Sequence, residues 1–150
     1  MKTIKLIIAV DATNLYSGGS KTHFFNFLKY SLKSKNRLII FCFDDFYQEF
    51  KSFDGSVSFF IISNFYKRFF FLWQIFKSYN IFKKLNIDVL FVPGGIYLGF
   101  FRPFVVMCRN MLLFEKSQMK LYPFRFRIKI KLISAFNLIS YYNSSKIIFI

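Results

Sequence analysis

Short apolar runs alternate along this chain with longer stretches in which apolar residues recur at helical spacing. Residues 4–10 ("IKLIIAV") form the first run, without clean polar alternation, as suits a strand covered on both faces. Further runs lie at 37–43, 57–62, 88–92, 104–108 and 146–150; the second ends at Asp44 and Asp45, the fourth at Pro93, Gly94 and Gly95. After the first strand, residues 11–21 read as a loop. Thr22 reads as the cap of a helix to about Ser34, with Phe24, Phe25, Leu28 and Leu32 at helical spacing. A long aromatic-rich helix is predicted over 65–85. Continuous apolar strands alternating with helices predict an α/β fold, a parallel sheet with helices on both faces. Residues 125–133 ("RFRIKIKLI") are ambiguous. Their strict alternation fits a strand with one basic face, whereas the right-handed crossover between the fifth and sixth strands favours a helix. Neither an internal repeat nor a linker interrupts the pattern, so residues 1–150 read as one domain. The sixth run stops in mid-pattern, which raises the expectation of a fragment.

Composition changes this picture only in part. The chain is 55% hydrophobic, enough for a sizeable core. Its 25 Phe accompany an excess of Lys, Ile, Asn and Tyr, all encoded by A/T-rich codons, so much of the aromatic and basic content is compositional bias. The formal charge of +15 nevertheless favours anionic partners: nucleic acid, phosphorylated substrates or an anionic membrane face. The charge is uneven, because from Arg102 onward nine basic residues face a single acid, Glu115.

Cys42 and Cys108 each lie inside an apolar run, without metal-ligand or redox spacing. They are expected to be buried, reduced thiols, in keeping with a reducing compartment, and no metal site is expected. The N-terminal apolar run is too short for a signal peptide, and Asn64, Lys67 and Arg68 break the most apolar stretch. The expected location is the cytoplasm, with peripheral attachment to the inner face of the plasma membrane as a further expectation.

In an open parallel sheet, ligands bind beyond the carboxyl ends of the strands. Three of the least bland segments fall there: "DATNLYSGGSKTH" after the first strand, "PGG" after the fourth and "RNMLLFE" after the fifth. Gly18 and Gly19 permit close backbone approach to a ligand, and the helix that follows directs free amides at the same spot, as a phosphate or diphosphate requires. An ordinary loop glycine pair is the alternative; the spacing is neither a Walker A motif nor a G-x-G-x-x-G fingerprint. His23, the only histidine, stands on the first turn of that helix, as a ligand contact or a structural residue. Arg109 and Asn110 close the fifth strand; the guanidinium either holds a phosphate or sugar oxygen or pairs with Glu115. Gly94 and Gly95 allow close backbone approach at a strand end. Asp11 reads equally well as a loop cap.

"SGGSKTHFFNFL", "DVLFVPGG", "RPFVVMCRNMLLFE" and "NSSKIIFI" together resemble, in order and spacing, the successive motifs of bacterial glycosyltransferase family 4. These are retaining GT-B enzymes built from two Rossmann-like halves. The resemblance implies the N-terminal, acceptor-side half of an enzyme that moves a hexosyl group from a nucleotide-sugar to a surface-polysaccharide (such as lipopolysaccharide) or lipid-linked acceptor, without a required metal or other cofactor. It gives Gly18, Gly19 and Ser20 to the donor diphosphate and His23, as catalytic residue, to the transferred sugar. Arg109, Asn110, Gly94 and Gly95 fall to the acceptor. The chain departs from the pattern at Ser20, often a third glycine, and at Leu113, often a proline. The nucleotide-binding C-terminal half is absent from these 150 residues, so they are expected to be inactive without that domain or a partner chain. Two other readings stand beside this one. One is a basic nucleic-acid-binding module, drawn from the charge and "RFRIKIK", although no RNP, KH or helix-turn-helix signature accompanies it and nucleic acid is not the expected partner. The other is a non-catalytic fragment of a decayed or split enzyme.

Overall fold

A computed structural model of the chain describes residues 5–15, 19–108 and 122–149. Six strands form one sheet: β1 (Ile7–Asp11), β2 (Arg37–Cys42), β3 (Ser58–Ile61), β4 (Val89–Val92), β5 (Phe104–Cys108) and β6 (Lys146–Phe149). All neighbours pair in parallel, in the order β3-β2-β1-β4-β5-β6. That is the Rossmann-like, doubly wound order, and the chain reverses direction across the sheet between β1 and β4. The α/β expectation therefore holds.

Because parallel strands are buried on both sides, successive residues feed two cores. Val10, Ile40 and Cys42 point to one face, packed against Phe24 and Leu28 of α1 (Gly19–Ser31) and Phe46 and Phe50 of α2 (Asp44–Phe50). Ala9, Phe41, Leu90 and Val106 point to the other. There they meet Trp73 of α3 (Phe70–Trp73), Phe82 of α4 (Tyr79–Lys84) and, less deeply, Tyr141 of α5 (Phe124–Asn143). Phe82 alone touches the rings of Phe41, Trp73 and Phe101. Cys42 and Cys108 are both buried and free, and burial pushes the Cys42 thiol up to about 12.

Several expectations need correction. The first helix opens at Gly19, so Thr22 lies inside it and is no cap, and Gly19 is helical. It also ends at Ser31, where the Lys33 and Ser34 amides donate to the Tyr30 and Ser31 carbonyls and close a tighter turn. Phe25 and Leu32 are exposed. Asp44 and Asp45, read only as a strand stop, open the seven-residue α2, where their charge complements the helix dipole. The helix expected over 65–85 starts at Phe70 and is interrupted by a π-helical turn, Gln74–Ser78, between α3 and α4. No helix joins β4 to β5. The ambiguous 125–133 stretch is helical, as the crossover argument favoured.

Candidate functional site

The switch point between β1 and β4 is built around Asp11, the fully buried last residue of β1. The Thr13 amide (3.0 Å) and Thr13 Oγ1 (2.6 Å) donate to Asp11 Oδ1, closing a tight turn. Asp11 is thus the loop cap, the plainer of its two readings. Gln74 Nε2 donates to Asp11 Oδ2 at 2.8 Å. Burial raises the Asp11 pKa against the opposing pull of these hydrogen bonds.

Gln74 also fastens the loop that follows β4. Its Nε2 donates to the Ile96 carbonyl (3.1 Å), and the Leu98 amide donates to its Oε1 (3.2 Å). The π turn brings Ser78 onto the same inner side, where its hydroxyl donates to the Gln74 carbonyl (2.6 Å) and lies 3.1 Å from the Tyr97 hydroxyl. The Tyr97 amide donates to Ser140 Oγ of α5 at 2.9 Å, and burial pushes the Tyr97 phenol up to about 12. A hydrogen-bonded spine from β1 through the π turn to α5 thereby holds the 93–101 loop at the switch point.

Held there, the loop presents Gly94 and Gly95. A Cβ on Gly94 would lie 1.4 Å from Asn14 Oδ1, so the Asn14 carboxamide occupies the space a side chain would need. Gly95 has φ +82°, in the left-handed region that favours glycine. Asn14 Oδ1 is buried against Gly94 without a hydrogen-bond partner, an unsatisfied acceptor beneath the crevice where such sheets bind ligands.

Beside the crevice, at the carboxyl ends of β1 and β2, lies a cavity of about 110 Å³ lined by Thr13, Lys21, Phe43, Asp45, Glu49 and Lys67, among others. Lys21 pairs with Glu49 and Lys67 with Asp45. The hydrogen bond and charge of Lys67 hold the Asp45 carboxyl below its ordinary range. The wall alternates cation and carboxylate above aromatic rings. Such a surface can both donate to and accept from the hydroxyls of a polar ligand.

Of the residues singled out from the sequence, Gly94 and Gly95 stand at the switch point. Gly19 and Ser20 open α1. His23 is exposed on α1 and does not line the cavity. Gly18, Arg109 and Asn110 lie outside the described residues, as does the Arg109–Glu115 alternative. Asn14, Lys21, Lys67 and Gln74 were not foreseen. Gln74 carried one signal, as the only amide inside "RFFFLWQIF". Among the described residues no group of three or more His, Cys, Asp or Glu is placed to hold a metal ion. Compared with known families, curated proteins and solved structures, the chain matches none.

Proposed function

We propose that this chain is the acceptor-side half of a retaining GT-B glycosyltransferase, which moves a hexosyl group from a nucleotide-sugar to a glycan or lipid-linked acceptor. The observation that carries the reading is the close approach of Gly94 and Asn14 at the switch point of a β3-β2-β1-β4-β5-β6 parallel sheet, with the charged cavity beside it at the ends of β1 and β2. Acceptor hydroxyls would bond the Lys21–Glu49 and Lys67–Asp45 pairs, with a ring face against Phe43 or Phe46. The donor diphosphate would face the glycine loop and the amides at the start of α1, where partial positive charge favours it. The diphosphate and its nucleotide would be carried by a second Rossmann-like half, in another domain or chain. His23 would lie near the transferred sugar. No helix among the described residues is long and apolar enough to cross a membrane. In this reading the chain acts at the cytoplasmic face of the plasma membrane, held there peripherally near a lipid-linked acceptor.

The test is an amide-resonance titration of the chain with a short-chain polyprenyl diphosphate-linked sugar, in parallel with UDP-glucose, GDP-mannose and a DNA oligonucleotide. The acceptor probe is expected to move Asn14, Lys21 and Gly94. Gly94→Ala, which displaces Asn14, is expected to weaken that binding by about tenfold or more. Shifts confined to α5 with the oligonucleotide, or no response at the switch point to any sugar probe, would overturn the reading.

A further inference from the structure

We propose that the outward face of α5 is an anionic-lipid docking surface, on which the helix lies in the plane of the headgroups. This deepens, and rests on, the peripheral membrane reading above.

The helix buries polar side chains beside apolar ones and leaves many apolar side chains exposed. Toward the sheet it turns Asn137, Ser140 and Tyr141 together with Ile130 and Ile133. Ser140 Oγ bonds the Tyr97 carbonyl, and Tyr141 donates to Asn137 Oδ1. Away from the sheet run Phe124, Ile128, Leu132, Ala135, Ile139 and Tyr142, whose spacings of three and four residues place them on one stripe, and Phe126, Phe136 and Leu138, off the stripe, are exposed as well. Phe124 is 70% exposed, Leu132 57%, Ile139 49% and Tyr142 92%. Arg125, Arg127, Lys129 and Lys131 flank the first half of the stripe, and α5 contains no acid.

Arg125 and Arg127, in the first turn of the helix, oppose its macrodipole, so their placement does not serve the helix in water. An anionic surface reverses that penalty. The neighbouring α3, π turn and α4 add Lys77, Lys83 and Lys84, and no carboxylate occurs between Asp54 and Asp88 or after Glu115. Nucleic acid would neutralise the cations but leave the Ile128–Leu132–Ile139 stripe in water. A bilayer surface takes both, since apolar side chains enter the acyl boundary while Lys and Arg meet the headgroups.

The placement also bears on the acceptor. Asn137 lies against Gly95 at the carboxyl edge of the sheet, and Phe124 lies thirteen residues earlier. At helical rise the basic half therefore projects about 20 Å past that edge, beside the crevice. Docking would bring the switch point to the lipid surface, within reach of a lipid-linked acceptor.

The experiment is flotation of the full chain with phosphatidylcholine vesicles containing or lacking phosphatidylglycerol, over a salt series. The wild type is expected to float with the anionic vesicles at low salt and to be released as salt rises. Leu132→Gln/Ile139→Gln is expected to lower binding by tenfold or more, and Arg125→Gln/Lys129→Gln/Lys131→Gln by about 100-fold. The α1 control Lys29→Gln/Lys33→Gln should bind as wild type, and circular dichroism checks that all variants fold. Wild-type flotation that neither α5 variant weakens would overturn the surface while leaving peripheral attachment standing. A wild type that ignores anionic vesicles at low salt, or binds DNA through these cations instead, would overturn both.

Discussion

The two helical layers that cover this sheet solve the same packing problem and end with opposite outer surfaces. On one face, α1 and α2 bury Phe24, Leu28, Phe46 and Phe50 and carry Lys21 and Lys29 against Asp44, Asp45 and Glu49. Where aromatic rings do remain exposed there, a lysine covers them: Lys29 lies over Phe25, and Lys33, just past α1, over Tyr30. On the other face, α5 turns hydrogen-bonded polar side chains inward and an apolar stripe outward, with cations only. Compositional bias toward Phe, Ile and Lys acts on both layers alike, so it does not account for their difference. The difference is what the proposed docking of α5 on an anionic lipid surface accounts for.

The largest expected effect tests whether the inner faces are equivalent. Phe24→Ala and Phe82→Ala, one from each core, should each destabilise by about 3–5 kcal/mol in denaturant unfolding. A small loss for Phe82 alone would mean that the α3–α5 layer is loosely packed, and its exposed stripe would need no partner to explain it.

A smaller effect is expected at the spine that joins the layers. Asp11→Ala strands Thr13 and the Gln74 amide and should cost about 2–3 kcal/mol. Burial raises the pKa of Asp11 in the folded state above the unfolded value of about 3.9, so folding retains a proton that the unfolded chain releases. Stability linked to Asp11 is therefore full below pH ~4, falls as pH rises toward the folded pKa and is constant above it. Asp11→Asn should remove this decline in a melting series. Asp45 has its pKa lowered by Lys67 and has the opposite sign: its contribution is present above the unfolded pKa and is lost only as pH falls through the folded one.

The smallest effect is the most discriminating. Leu132→Gln and Ile139→Gln should change stability by no more than about 1 kcal/mol each, because each side chain is about half exposed. A substantial loss in thermal unfolding would show that the stripe serves the fold.

Except at the start of β1, read from residue 4 but beginning at Ile7, the strands were legible within a residue because each is a short continuous apolar run. Asp44 and Asp45 misled, since the same carboxylates that end β2 also start a helix too short to show a period. The 125–133 stretch, with helix and strand periods superposed, was decided by topology. Of the site, Gly94 and Gly95 were readable from their position after a strand. Asn14 and Gln74 were not, because their roles depend on tertiary pairing. Asp11 and Gln74 lie 63 residues apart, and Asn14 meets Gly94 only because β1 pairs with β4.

The asymmetry between the layers is tested most directly by hydrogen exchange of the full chain with and without phosphatidylglycerol vesicles at low salt. Added protection across 124–143, with none across 19–31, is the predicted result. Protection confined to α1, or no change in either helix, would contradict it.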